Sequence, residues 1–245
     1  MSPSPGVGGS SHPQPPLLSQ TIGSHLSQIA HQHGDRTAVV SRHQGQRLTY
    51  AELDAASTAL ARGLRRQGVA RGARVAVSLG NSVEYAVTSY ALFKLGAVLV
   101  PLNPGFAPAQ VVAAMRHLAA THLVVSAETN LPRRAAYAND ELVRGVRAGV
   151  ATLQGVVVVD NAGGRGAVDG VRYEDVAADG RACADALDTL DPDDVVNIQF
   201  TSGTTSTPKA ACLTHRNVLN NGLAIGDRML LTHADVVCSP PPMFQ

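Results

Sequence analysis

Apolar residues recur along this chain at two spacings that alternate with one another. Ile22, Leu26 and Ile29 repeat at helical intervals up to Gly34, after which TAVV and RLTY read as short strands around the turn residues HQGQ. In TYAE, Thr49 and Glu52 form a capping box that satisfies amides left unpaired by a first helical turn. The helix behind it carries the apolar stripe Leu53, Ala56, Leu60 and Leu64 and stops at Gly68. Strand RVAVS, helix SVEYAVTSYALFKL closed by Gly96, strand AVLVPL, helix PAQVVAAMRHL and strand HLVVS then succeed one another. A helix near Glu141 to Val146 and the unbroken apolar run GVVVVD extend the series. Strands that alternate with helices predict an α/β fold, a parallel sheet with helices on both faces. The glycine-rich NAGGRG and the acidic LDTLDPDD predict a surface excursion before VVNIQF. That last run places Val196, Ile198 and Phe200 on one face and Asn197 and Gln199 on the other, the period of a half-buried strand.

After VVNIQF stands TSGTTSTPKA. Six of the seven positions from Thr201 to Thr207 carry a hydroxyl, the seventh is Gly203, and Pro208 and Lys209 follow. Composition alone fits a solvated Ser/Thr-rich turn as well as a ligand loop. The flanks favour the ligand loop. A strand enters it, and Thr214 is placed to cap a helix beginning HRNVLNN, with Val218, Leu219 and Ile225 for its buried side. Such a loop brings backbone N–H groups, hydroxyl donors and one ammonium to a single point, as a polyphosphate requires. In open sheets of this class ligands sit beyond the carboxyl ends of the strands, where this loop is expected. It is not the nucleotide loop of kinases and GTPases. Counted from Gly203, Pro208 and Ala210 occupy the places of that motif's second glycine and its magnesium-binding hydroxyl.

Over its full length the segment resembles the phosphate-binding motif of the adenylate-forming enzymes, the superfamily of acyl-CoA synthetases, luciferases and peptide-synthetase adenylation domains. Ser206 and Ala210 stand where that motif has glycine. The stretch from GARVAVSLGNSVEY to HLVVSAE resembles the N-terminal subdomain of these ligases. CLTHRNVLNN is similar to the helix after their phosphate loop, and SPPPMF to the start of a segment that lines the acyl pocket. Among subgroups the medium-chain acyl-CoA synthetases are the most similar.

The resemblance implies a two-step ligation. A carboxylate attacks the α-phosphorus of ATP to give an acyl-adenylate and pyrophosphate, and coenzyme A then takes the acyl group as a thioester with release of AMP, with magnesium present. Gly203 would let the backbone approach the phosphates. Thr201, Ser202, Thr204, Thr205 and Ser206 would donate hydroxyls and amides, and Lys209 would supply positive charge. In the family the adenine, ribose, magnesium and C-terminal lysine contacts lie downstream of a segment like PPPMF. Residues 1 to 245 are therefore expected to hold only the ATP phosphate contacts and not to adenylate alone. The competing reading is a non-catalytic product that binds nucleotide weakly or serves as an interaction module. Strand edges and apolar faces left uncovered are expected to favour association.

Charge and cysteine usage narrow the class further. A net charge of +1 gives no field that would gather nucleic acid or an anionic membrane. Arg62, Arg65, Arg66, Arg71 and Arg74 are the basic concentration, and two of them fall in the last turn of a predicted helix, where positive charge is favourable. Cys183, Cys212 and Cys238 are odd in number and widely spaced, indicating neither a disulfide framework nor a zinc site. His31 and His33 lie two apart and do not share a helix face, so they read as a solvated helix end. Residues 1–20, rich in Pro, Gly and Ser, are expected to be a disordered leader. Residues 21–190 are expected to form the N-terminal α/β subdomain, and residues 191–245 the start of an incomplete phosphate-loop subdomain. No Lys or Arg precedes Arg36 and no apolar run of about 18 residues occurs, so the expected location is the cytoplasm, without a membrane span.

Overall fold

A computed structural model describes residues 16–131, 134–163, 168–201 and 209–244. Thr21 caps α1 (Ile22–His33) through a capping box with Ser24, and His31 and His33 end that helix exposed. An antiparallel hairpin, β1 (Thr37–Ser41) and β2 (Gln46–Thr49), turns at Gly45, whose φ of +64° suits glycine. At the start of α2 (Tyr50–Arg66) the predicted capping box is present. Thr49 N donates to the Glu52 carboxylate at 2.8 Å, and Glu52 N donates to Thr49 Oγ1 at 3.2 Å. Leu53, Leu60 and Leu64 are buried along its inner side, each stabilising the fold by about 1.5–3 kcal/mol.

The alternating core follows: β3 (Arg74–Ser78), α3 (Val83–Leu95), β4 (Val98–Pro101), α4 (Pro108–His117) and β5 (His122–Ser126). After a short antiparallel pair, β6 (Glu128–Thr129) and β7 (Tyr137–Ala138), come α5 (Asp140–Gly149), β8 (Gly155–Val159), β9 (Val171–Arg172) and α6 (Tyr173–Arg181). The described part ends with β10 (Val195–Thr201), β11 (Lys209–Thr214) and α7 (His215–Arg228), followed by an irregular segment. The main sheet has seven strands in the order β11-β10-β4-β3-β5-β8-β9. All its pairings are parallel except β10 with β11, so the expected parallel α/β sheet carries one antiparallel edge. β10 and β11 extend the same sheet as the preceding strands.

Alternate residues of the central strands face opposite cores. Val75, Val77, Leu99, Val124 and Val157 pack with α1, α2, α3 and α6, whereas Ala76, Val98, Val100, Leu123, Val125 and Val158 pack with α4 and α5. With both faces covered, the strands read as continuous apolar runs. α3 is buried almost all round, between the sheet and the helices α1 and α2, so its sequence lacks a one-sided stripe. Gly96 closes it at φ +72°.

Three features depart from the sequence reading. The excursion before β10 contains α6, which packs along α2. The two helix backbones touch: a Cβ on Gly63 would lie 1.9 Å from the Val176 carbonyl oxygen, and one on Gly180 1.7 Å from that of Ala59. Second, the three residues placed on one face of β10 divide between the cores. A register shift between Val195 and Asn197 sends Val196 to the α1–α3 side, while Ile198 and Phe200 face α4 and α5. Third, the basic cluster holds a chain segment. Arg62 Nε donates to Asp185 O at 2.9 Å, Arg65 to Ala186 O at 2.8 Å, and Arg71 to the Asp194 carboxylate at 2.6 Å. The acidic stretch is thereby tied across the ends of α2 and α3. In the leader, residues 1–15 lie outside the described residues, and Leu18 exchanges two hydrogen bonds with the Asn220 side chain on α7.

Candidate functional site

The hydroxyl-rich loop connects β10 to β11, and Thr201 and Lys209 stand opposite each other at the base of this hairpin. Ser202, Gly203, Thr204, Thr205 and Ser206, with Thr207 and Pro208, lie outside the described residues. Because β10 runs parallel to β4, Thr201 leaves the sheet at its carboxyl edge, the edge at which Asn81, Asn103, Glu128 and Asp160 follow β3, β4, β5 and β8. Below the loop, Phe200 and Ala210 are paired and half-buried against the α4–α5 core, with the His117 ring 6.4 Å from that of Phe200. Ala210, at a position where the resembled motif has glycine, sits in a regular strand that accommodates its methyl group.

The helix after the loop does not begin there. Lys209–Thr214 forms β11, which returns antiparallel to β10, so Thr214 lies opposite Val195 at the amino edge of the sheet. Thr214 is the predicted N-cap, its Oγ1 accepting from Asn217 N at 3.2 Å. The five-residue step from Lys209 to Thr214 spans about 17 Å. The α7 N-terminus and its dipole are therefore remote from Thr201 and Lys209, which flank the loop. The start of α7 is anchored instead by structural contacts. Arg216 pairs with Asp193 at 2.7 Å, and buried His215 accepts from Ile22 N through Nδ1 at 3.2 Å. Burial lowers the His215 pKa to about 4, against a small opposing effect of Asp194.

A cleft of about 740 Å³ opens at the carboxyl ends of β3, β5 and β8. Among the described residues Glu84, Glu128 and Asp160 line it with His43 and no Lys or Arg does, so this described lining is acidic. A second cavity, about 570 Å³ between α1, α2 and the acidic stretch, holds Lys94 and Arg62. There the Lys94 ammonium donates to Asp54 Oδ1 at 2.7 Å, to Asp54 O at 2.8 Å and to Thr58 Oγ1 at 2.7 Å, so it serves packing. The sequence reading gave Asn81 no role, although it precedes the α3 N-cap Ser82. Its side chain bonds the segment at 241–243. Among the described residues no group of three His, Cys, Asp or Glu could hold a metal ion, and no helix is long and apolar enough to cross a membrane.

The model of the family described as AMP-binding enzyme matches residues 26–245. The chain belongs to this family. It is 37% identical over 239 residues to the acyl-CoA ligase sidI of Beauveria bassiana, covering 94% of this chain and 39% of that protein. It is 30% identical over 223 residues to the medium-chain fatty-acid–CoA ligase of Escherichia coli, covering 91% of this chain and 38% of the relative. Among solved structures, a long-chain-fatty-acid–CoA ligase from Archaeoglobus fulgidus superposes with a TM-score of 0.77 at 26% identity, over 95% of this chain and 44% of the other. The fold is thus that of the N-terminal part of adenylate-forming acyl-CoA ligases. The chain spans about two fifths of the length of the curated relatives it matches.

Proposed function

We propose that this chain supplies the phosphate-binding hairpin of an ATP-dependent acyl-CoA synthetase acting on a carboxylic acid, of medium-chain class. The observation that carries the reading is the sequence TSGTTSTPKA in a chain that matches that family, with its flanking Thr201 and Lys209 paired at the carboxyl edge of the sheet. Lys209 neutralises charge on the ATP phosphates. Thr201, Ser202, Thr204, Thr205 and Ser206 donate hydrogen bonds, and Gly203 admits close approach of the backbone. Nucleotidyl transfer of this kind needs positioning and charge neutralisation more than acid or base chemistry, which suits a loop without His, Asp or Glu. Magnesium and coenzyme A belong to the family reaction and enter this reading with it. The E. coli relative's name supports the medium-chain class.

A second reading is that residues 1–245 bind nucleotide without completing the ligation. Their coverage of only 39% of the B. bassiana relative favours it. Titration of ATP into residues 1–245 tests the site. Binding is expected and Lys209→Ala should weaken it about tenfold or more, as for a charge-assisted hydrogen bond of roughly 1.5–3 kcal/mol. Equal affinity in the two proteins, or no binding by either, refutes the assignment. By either reading residues 1–245 give no carboxylate-dependent exchange of pyrophosphate into ATP above the Lys209→Ala control, and a native species far heavier than 25.4 kDa on a blot favours the first reading over the second.

A further inference from the structure

Asn81 stands at the carboxyl end of β3, one residue before the α3 N-cap Ser82. Its Nδ2 donates to Pro241 O at 2.9 Å, and its Oδ1 accepts from Met243 N at 2.7 Å. Pro240, Pro241 and Pro242 have no N–H, so this stretch cannot join a strand edge through those residues. Met243 carries the first amide after them, and Asn81 takes it. One side-chain amide thus does for the proline segment what a rung of sheet does elsewhere. The next residue, Phe244, packs against the α1–α3 core, and Pro240, Pro242 and Phe244 line the 740 Å³ cleft with Asn81.

We propose that Asn81 is a positioning residue that fixes Pro240–Phe244 as one wall of this cleft, so that a single side chain sets the cleft's width. The site requires a donor and an acceptor at the same reach. Aspartate offers acceptors only and sets a carboxylate against the Pro241 carbonyl, and alanine offers neither. The inference stands apart from the ATP reading, because the wall is measured without nucleotide.

The protein contains no tryptophan, so Phe244→Trp places one fluorophore on the wall. In that background Asn81→Ala and Asn81→Asp at pH 7 should both raise quenching by acrylamide. Asn81→Asp, which loses the bond to Pro241 O, should also speed Met243 amide exchange about tenfold, and Asn81→Ala, which loses both bonds, by more. At low pH the carboxyl introduced by Asn81→Asp gains a proton and can again donate to Pro241 O. Glu84 on α3, Glu128 on β6 and Asp160 after β8 face the cleft and favour that protonation, while His43 in the β1–β2 turn opposes it once charged. Asn81→Asp should therefore return to the quenching and exchange of its parent at the same low pH, and Asn81→Ala should not. Parental behaviour of Asn81→Ala at pH 7 overturns the proposal. So does failure of Asn81→Asp to recover on acidification, whatever either substitution does to overall stability.

Discussion

Acidification should destabilise this domain through His215, and the size of the effect follows from its surroundings. The ring is fully buried at the first position of α7, beside Phe93 with ring centroids 6.4 Å apart. Its Nδ1 accepts from Ile22 N, which requires a lone pair there and places the proton on Nε2, a buried atom without a partner among the described residues. Protonation would put a second N–H against the Ile22 N–H and bury a charge that Asp194 helps to offset, so burial holds the pKa at about 4 in place of the usual 6.5. The unfolded chain binds the proton first. Stability from this group is complete above pH 6.5 and falls as the pH drops towards 4, by about 2 kcal/mol at pH 5 and about 3 kcal/mol at pH 4. His215→Gln keeps an acceptor for Ile22 and removes the titration. Urea unfolding of both proteins from pH 7 to pH 4 checks the argument, because carboxylates elsewhere contribute equally to both. The difference between them should change by about 3 kcal/mol across the range. Parallel profiles would refute the reasoning.

Gly180→Ala drives a methyl group into the Ala59 carbonyl at the α2–α6 crossing, and should cost at least about 1–3 kcal/mol in denaturant unfolding, whereas Gly222→Ala, whose Cβ meets open space, should not destabilise. Lys94→Met strands the Asp54 carboxylate, which retains Ser27 as a donor, and should lower stability by about 1–3 kcal/mol. By contrast, Arg144→Ala breaks an exposed pair with Asp140 and should change stability by less than about 0.5 kcal/mol in the same assay. Leu230 and Val236 are 83% and 90% exposed, so changing both to lysine should reduce concentration-dependent association in sedimentation without lowering the thermal midpoint.

Most of the element order was legible from residue spacing because its signals are local. Thr49 and Glu52 cap α2 as their separation requires, Gly96 takes the left-handed conformation that ends α3, and Thr214 caps α7. The helix α6 could have been read from Tyr173, Val176 and Gly180, but the acidic and glycine-rich flanks obscured it. The strand β11 could not, since Ala210, Ala211 and Cys212 carry weak alternation and form a strand through their pairing with β10.

What the sequence determined by itself was the α/β class, the alternation of strands and helices, and the run of hydroxyls with Lys209 that marks the loop. All of these depend on neighbours within a few residues. Tertiary structure alone decided where those pieces act. It set Thr201 and Lys209, which flank the loop, at the sheet edge opposite the α7 N-terminus, split Val196 from Ile198 between two cores, tied Arg62, Arg65 and Arg71 to the acidic stretch, and set Asn81 against Pro241 and Met243. The physical reason is separation along the chain. Spacing encodes the local turn of a helix or the pleat of a strand, but a contact across 160 residues exists only once the sheet has brought both ends to one edge.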